Sequence, residues 1–180
     1  MTLVPHLLDN AATRLQGLAP LWSTQTRLLI LGSFPSVTSL REQRYYAHPH
    51  NQFWKILGAL WGLPLPDMPY PKKVETLLSR GLGVWDVYAH CERRGSLDSA
   101  IQQAELNDLP DLRQRCPALE AIAHNGGESY RHARHTRALG LPVYRLPSTS
   151  PAHASWTFER KLAAWRSVLG QHGLCALEGA

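Results

Sequence analysis

The sequence predicts an α/β protein: a three-layer α/β/α sandwich around a short, mainly parallel four-stranded sheet. Three observations carry this. Four short apolar runs, at 27–32 (RLLILG), 82–87 (LGVWDV), 119–124 (LEAIAH) and 141–146 (LPVYRL), have the length and near-continuous hydrophobicity of strands buried on both faces. Segments with apolar residues at helical spacing alternate with them, the order that builds parallel sheets. Of the 180 residues, 44% are hydrophobic and 18% charged, enough for a core and too little charge for disorder. There is no internal repeat, low-complexity tract or linker, so residues 1–180 read as a single domain.

Taken in order, the first strand ends at Gly32 and opens into a Ser-, Pro- and Tyr-rich loop that continues through His50. A helix follows, with Asn51 as a plausible N-cap, Phe53, Ile56, Leu57, Leu60 and Trp61 as its apolar face, and Gly62 as its C-cap. Pro64 to Pro71 form a proline-rich turn before a short helix over 72–80 and the second strand. The stretches at 97–106 (LDSAIQQAEL) and 109–116 (LPDLRQRC) read as short helices. The third strand runs into Asn125-Gly126-Gly127, then a basic amphipathic helix over 128–139. The fourth strand runs into 147–155 (PSTSPAHAS), and a last helix spans 156–171. In such sheets ligands bind beyond the carboxyl ends of the strands. The three loops leaving those ends are rich in Gly, Ser, Pro, Asn, His and Tyr, and they define one polar rim.

Composition narrows the chemistry. The net charge is +5, and 15 of the 19 basic residues are Arg, a balance that suits a polyanionic partner without demanding one. Cys91, Cys116 and Cys175 are isolated, with neither CxxC nor metal-ligand spacing, so they read as reduced cytosolic thiols. Asp9, Arg14 and Arg27 interrupt any signal-peptide pattern, and no run approaches the ~20 apolar residues of a membrane span. A cytoplasmic protein without membrane association is expected. Neither a phosphate-binding GxxxxGK[ST] loop nor a GxGxxG, HExxH or GxSxG motif occurs, so no cofactor and no metal is expected.

What is present is distinctive in combination. Gly32-Ser33-Phe34-Pro35-Ser36 follows the first strand, and Tyr45-Tyr46-Ala47-His48-Pro49-His50-Asn51-Gln52-Phe53-Trp54 comes a few residues later. With Asn125-Gly126 after the third strand and the late Pro-Ser loop, the sequence resembles the uracil-DNA glycosylase superfamily from about Arg27 to the last helix. It departs from most members at the third position of the first motif, where their catalytic Asp or Asn is replaced by Phe34. The branch it resembles best is hypoxanthine-DNA glycosylase, with GSFP-type first motifs and a late SxSPA-type loop. The resemblance implies that Asn51 carries the catalytic role. It further implies base binding by Gly32, Ser33, Phe34, Pro35, Tyr46, His48 and Asn125, and DNA contact by Ser148, Thr149, Ser150, Pro151 and His153. A side chain from Ala152 to Trp156 would fill the hole left by the flipped base.

The chemistry fits such a set. An N-glycosidic bond breaks once the base departs as a stabilised anion, so the site needs a positioned water and donors aimed at the base more than a strong nucleophile. A neutral Asn amide can orient that water. The base lies inside the duplex and must be flipped out to be read; Tyr46 offers a stacking face and Asn125 an amide edge. Ordinary readings stand beside these: Asn51 as a cap, Asn125 as a turn former, Tyr45 and Tyr46 as packing, Phe53 and Trp54 as core. Phe34 is either a pocket wall or a plug filling the space of the missing polar group. Arg131, Arg134 and Arg137 recur along one helix face, either solvated or against DNA backbone. No Lys stands in the matching motifs to form a Schiff base. The expected function is therefore a monofunctional glycosylase of base excision repair, acting as a monomer on double-stranded DNA that carries a deaminated base, hypoxanthine above others. The alternatives are a uracil or broad-specificity mismatch enzyme, and a non-catalytic binder of damaged DNA.

Overall fold

A computed structural model describes residues 13–175, so the outer ends of the domain read for 1–180 lie outside the described residues. In chain order the strands are β1 (Arg14–Gln16), β2 (Leu28–Gly32), β3 (Leu82–Asp86), β4 (Tyr88–Glu92), β5 (Gln102–Leu106), β6 (Ala121–Asn125) and β7 (Val143–Leu146). The helices are α1 (Val37–Glu42), α2 (Phe53–Trp61), α3 (Tyr70–Ser79), α4 (Leu112–Arg115), α5 (Gly127–Tyr130), α6 (Ala133–Arg137) and α7 (Phe158–Gln171). The four apolar runs form one sheet in the order β3-β2-β6-β7, every neighbouring pair parallel. β2, β3 and β6 are buried along their whole length, which is why their sequences are apolar without alternation.

Alternate residues of the central strand feed two cores. Leu28 and Ile30 pack with α2, α3 and α7 through Phe53, Ile56, Leu57, Leu77, Trp165 and Leu169. Leu29 and Leu31 face Trp85, Val87, Leu109, Leu112, Leu119 and Ile122 on the other side. Three indole N–H groups are satisfied by carbonyls, so these large rings are buried without an orphan donor: Trp54 to Tyr45, Trp61 to Leu174 and Trp165 to Pro147. The chain goes from β2 to β3 on one side, then to β6 on the other. The direction reverses at β2, which opens a crevice between the carboxyl ends of β2 and β6.

Several local expectations are corrected. The helix expected over 97–106 is a short 3-10 turn, Asp98–Ala100, followed by strand β5. β5 pairs antiparallel with β4, which pairs with β1, making a second, three-stranded sheet. All five β5 residues are exposed, so no apolar face held this segment helical, and long-range pairing decided it. The helix expected over 128–139 is broken into α5 and α6 around Arg131–His132. Part of the loop after β2 is helix α1, capped by the Ser36 hydroxyl accepting from the Ser39 N–H. Helix α2 begins after Gln52 rather than after Asn51, but the Asn51 Oδ1 still accepts from the Phe53 N–H at 3.0 Å. Gly62 closes α2 with a φ of 64°, as a C-cap glycine should. The segment over 109–116 is helical, as a 3-10 turn leading into α4.

Candidate active site

The rim at the strand ends encloses a cavity of about 500 Å³, within the range of small-molecule sites. All thirteen residues read from sequence as catalytic, base-binding or DNA-contacting line it: Gly32, Ser33, Phe34, Pro35, Tyr46, His48, Asn51, Asn125, Ser148, Thr149, Ser150, Pro151 and His153. Arg131, Arg134 and Arg137 do not. They are exposed, with Arg131 paired to Glu128 and Arg137 donating to the Tyr130 hydroxyl.

Each side of the cavity is locked to its neighbour. The Gln52 N–H donates to the Thr149 carbonyl at 2.9 Å, joining the segment before α2 to the loop after β7. Asn125, at the end of β6, donates from Nδ2 to the Tyr46 hydroxyl at 3.1 Å and to Thr149 Oγ1 at 3.0 Å. Its Oδ1 accepts from the Thr149 N–H at 3.1 Å. The fixed direction of that N–H sets the amide orientation, since the flipped amide would put donor against donor. The sequence reading has Asn125 offering its amide to a base edge. In this arrangement both N–H groups are already committed, and the amide brackets the Tyr46 and Thr149 segments together. Gly126 turns the chain beyond it with a φ of 100°, and a Cβ there would lie 3.0 Å from Ser148 Cβ. The turn is therefore possible only for glycine.

Tyr46 carries a second sign of constraint. Its φ is 54°, a left-handed conformation that an aromatic residue adopts only where its surroundings impose it. One face of its ring stacks on Phe53 with centroids 4.0 Å apart and planes at 19°. Burial, and next the Asp86 carboxyl, push its phenol above the ordinary tyrosine range, so it stays a neutral hydroxyl. His48 accepts the His50 N–H at Nδ1 (3.1 Å), which leaves the proton on Nε2 when the ring is neutral. Asn51, half-buried, keeps its Nδ2 and one Oδ1 lone pair beyond its bond to Phe53. Phe34 is buried in the second core with the Arg93 guanidinium 5.1 Å above its ring, an arrangement closer to a plug than to a stacking wall. The late loop is braced from below: the buried Lys161 donates its ammonium to the His153 carbonyl at 2.7 Å. Beyond it, Ala152, Ala154 and Ser155 are exposed, and the Trp156 ring is covered by Arg160 at 3.8 Å.

Two contributions were not found from sequence. The loop between β4 and β5 folds over the cavity with Ser96, Leu97, Asp98 and Ser99, and the Ser33 hydroxyl donates to Asp98 at 2.6 Å. Asp86, the last residue of β3, lies opposite Gly32 in the register and lines the cavity while only 5% exposed. Its Oδ2 is buried without a hydrogen-bond partner. Burial, then the Asp98 carboxylate, raise its pKa to about 7 against the opposing pull of Arg93. The sequence signal was a single carboxylate ending an otherwise apolar strand. The hairpin gave no signal, because only strand pairing brings it over the cavity. Among the described residues, no group of three or more His, Cys, Asp or Glu side chains is arranged to hold a metal ion.

A cavity at a topological switch point, bounded by an aromatic ring, locked amides and a hydroxyl-rich loop, has the place and the lining of a ligand-binding site of an α/β enzyme. The family model for the uracil DNA glycosylase superfamily matches residues 20–169, and the chain belongs to that superfamily. It is 37% identical over 153 residues to the hypoxanthine DNA glycosylase of Methanosarcina acetivorans, covering 85% of this chain and 96% of that one. The hypoxanthine DNA glycosylase of Methanosarcina barkeri is 35% identical over 146 residues, covering 81% and 92%. In three dimensions the chain is similar to the solution structure of a Methanosarcina acetivorans protein described as a candidate uracil DNA glycosylase. The TM-score is 0.80 at 36% identity, covering 88% of this chain and 98% of that one.

Proposed function

We propose that this DNA glycosylase is monofunctional and removes hypoxanthine from double-stranded DNA, hydrolysing the N-glycosidic bond and leaving an abasic site. The observation that supports it most is the joint placement of Asn51, Tyr46, Asn125 and the Ser148–Ser150 loop around one closed-in cavity. In this reading the extruded base enters between Tyr46 and the first loop, and Asn51 orients the attacking water. Asn125 positions Tyr46 and the late loop instead of reading the base through its N–H groups. Ser148, Ser150 and the backbone of the late loop hold phosphates, and the exposed turn Ala152–Ser155 enters the gap in the duplex. Lys161 is not part of the cavity lining and its ammonium is engaged with the His153 carbonyl, consistent with hydrolysis without strand cleavage. The enzyme acts as a monomer, as one domain, in the cytoplasm and without a cofactor. No helix among the described residues is long and apolar enough to cross a membrane.

Single-turnover excision from matched duplexes tests this. Hypoxanthine should be released faster than uracil. Asn51→Ala should lose about 10²–10³ in rate, the cost of removing one polar transition-state contact, while still binding abasic product. Equal or faster release of uracil moves the enzyme to the uracil-directed reading. A retarded complex without any cleavage makes it a binder of damaged DNA.

A further inference from the structure

We propose that Asp86 is a second catalytic residue: its protonated carboxyl donates to N7 of the extruded purine and delivers that proton as the glycosidic bond breaks. This rests on the reading of the base as hypoxanthine and adds a residue that the motif comparison does not contain.

The position is built for contact with a bound ring. Gly32 and Asp86 face each other across β2 and β3, and a Cβ on Gly32 would come within 2.4 Å of Asp86 Oδ1. Any side chain at position 32 would close the space between the carboxyl and the first-motif loop. Glycine leaves it open, and the carboxyl forms part of the cavity floor. Around it lie groups that do not neutralise it. Tyr45 and Tyr46 are phenols held neutral by burial, and the Tyr46 hydroxyl accepts from Asn125. Asp98 is a second carboxyl, itself tied to Ser33. Arg93 donates to the Pro35 carbonyl, and among the described residues Asp86 makes no ion pair with it. The backbone carbonyl of Asp86 is occupied by Asn107 Nδ2 at 2.8 Å, but the buried side-chain Oδ2 has no partner at all. Buried polar groups are almost always satisfied; here the carboxyl lines the cavity with its inner oxygen covered and unpartnered, so its hydrogen bonding is incomplete until a ligand meets the carboxyl from the cavity side.

The proton state suits donation. Burial and Asp98 together lift the Asp86 carboxyl to about 7, so near neutral pH a large fraction carries its proton, the range in which an acid catalyst works best. Of the ring nitrogens of an N9-linked hypoxanthine, N7 is the most basic, and uracil has a C–H where the purine offers that acceptor. The step balances. The C1′–N9 bond breaks with its electron pair going to the base, the Asp86 proton arrives at N7, and hypoxanthine leaves as its neutral 7H tautomer. Water adds its oxygen to C1′ and releases its proton to solvent, from which the Asp86 carboxylate is reprotonated before the next turnover. Asn51 orients the water and Asp86 activates the leaving group, which divides the reaction between two sides of the cavity.

The test is single-turnover excision by wild type and Asp86→Asn on duplexes carrying deoxyinosine, 7-deaza-deoxyinosine or deoxyuridine, between about pH 5.5 and about pH 9. Binding to an abasic duplex serves as the folding control. Wild type should slow on deoxyinosine as pH rises through about 7. Asp86→Asn should be about 10²-fold slower at neutral pH and lack that alkaline limb. On 7-deaza-deoxyinosine, wild type should be slow already and the substitution should cost nothing further. If Asp86→Asn matches wild type on deoxyinosine with the same pH profile, or wild type cleaves the 7-deaza substrate as fast as deoxyinosine, the assignment of Asp86 is overturned and the base reading stands. Wild type that releases uracil and leaves deoxyinosine intact overturns the base reading, and this proposal with it.

Discussion

Replacing Asp86 by Asn changes the shape of the cavity floor little but removes its one titrating proton. Asp86 is 5% exposed, and its carboxyl is raised from 3.8 to about 7 chiefly by burial. At about 1.36 kcal/mol per tenfold change in proton affinity, that rise corresponds to roughly 4 kcal/mol. The sign follows from linkage. Between about pH 4 and about pH 7 the folded protein holds this proton and the unfolded chain does not, so this group's contribution to stability falls as pH rises through that window. Below about pH 4 both states are protonated and the penalty vanishes; above about pH 7 it is complete. Asp86→Asn cannot ionise and escapes the penalty. Any fixed cost of burying an amide there is the same at every pH and cancels in the comparison. Urea unfolding at about pH 5 and about pH 8.5 should therefore show the variant gaining on wild type by about 3 kcal/mol at most, the share of the penalty that builds up between about pH 5 and about pH 7. For a domain of this size that is a relative rise in Tm on the order of 10 °C. A wild-type-to-variant difference that is equal at the two pH values would show that Asp86 ionises freely in the folded protein. Burial would then not be what holds its proton. A stabilising substitution at a cavity-lining residue would also be the expected signature of a group kept for function at a cost in stability.

Other outcomes follow from the same geometry. Asn125→Ala leaves the Tyr46 hydroxyl and both Thr149 groups without their partner, so it should destabilise the fold by about 2–3 kcal/mol and slow excision of hypoxanthine and uracil alike; melting curves and time courses on both substrates check it. His124 is fully buried between Ser129 and Thr136, and burial lowers its pKa from 6.5 to about 4. Stability should accordingly drop by about 3 kcal/mol as pH falls from about 6.5 to about 4, and His124→Gln should flatten that drop in urea titrations. Binding to abasic-site duplex should weaken steeply and linearly on a log–log salt plot, in proportion to the phosphates neutralised; a flat plot would remove the phosphate contacts assigned to the late loop.

The sequence by itself determined the sheet and the rim. Four short apolar runs alternating with helical segments read as strands of one parallel sheet, three of them covered on both sides, and that topology puts Gly32, Asn125 and Pro147 at one end. All thirteen residues singled out from the motifs meet at one cavity because each lies on, or just beyond, a loop leaving those ends. Only the tertiary structure decided the rest, wherever residues distant in the chain had to meet. Gln102–Leu106 carries no local preference strong enough to resist pairing with β4, so a helix-like stretch became a strand and its hairpin came over the site. Asn125 looked able to read a base edge until Thr149 and Tyr46, each remote in sequence, took its donors. Asp86 looked like one charge at the end of an apolar strand. Its chemistry is set by the burial, the glycine opposite and the neighbouring carboxyl, none of which exists before the chain is folded.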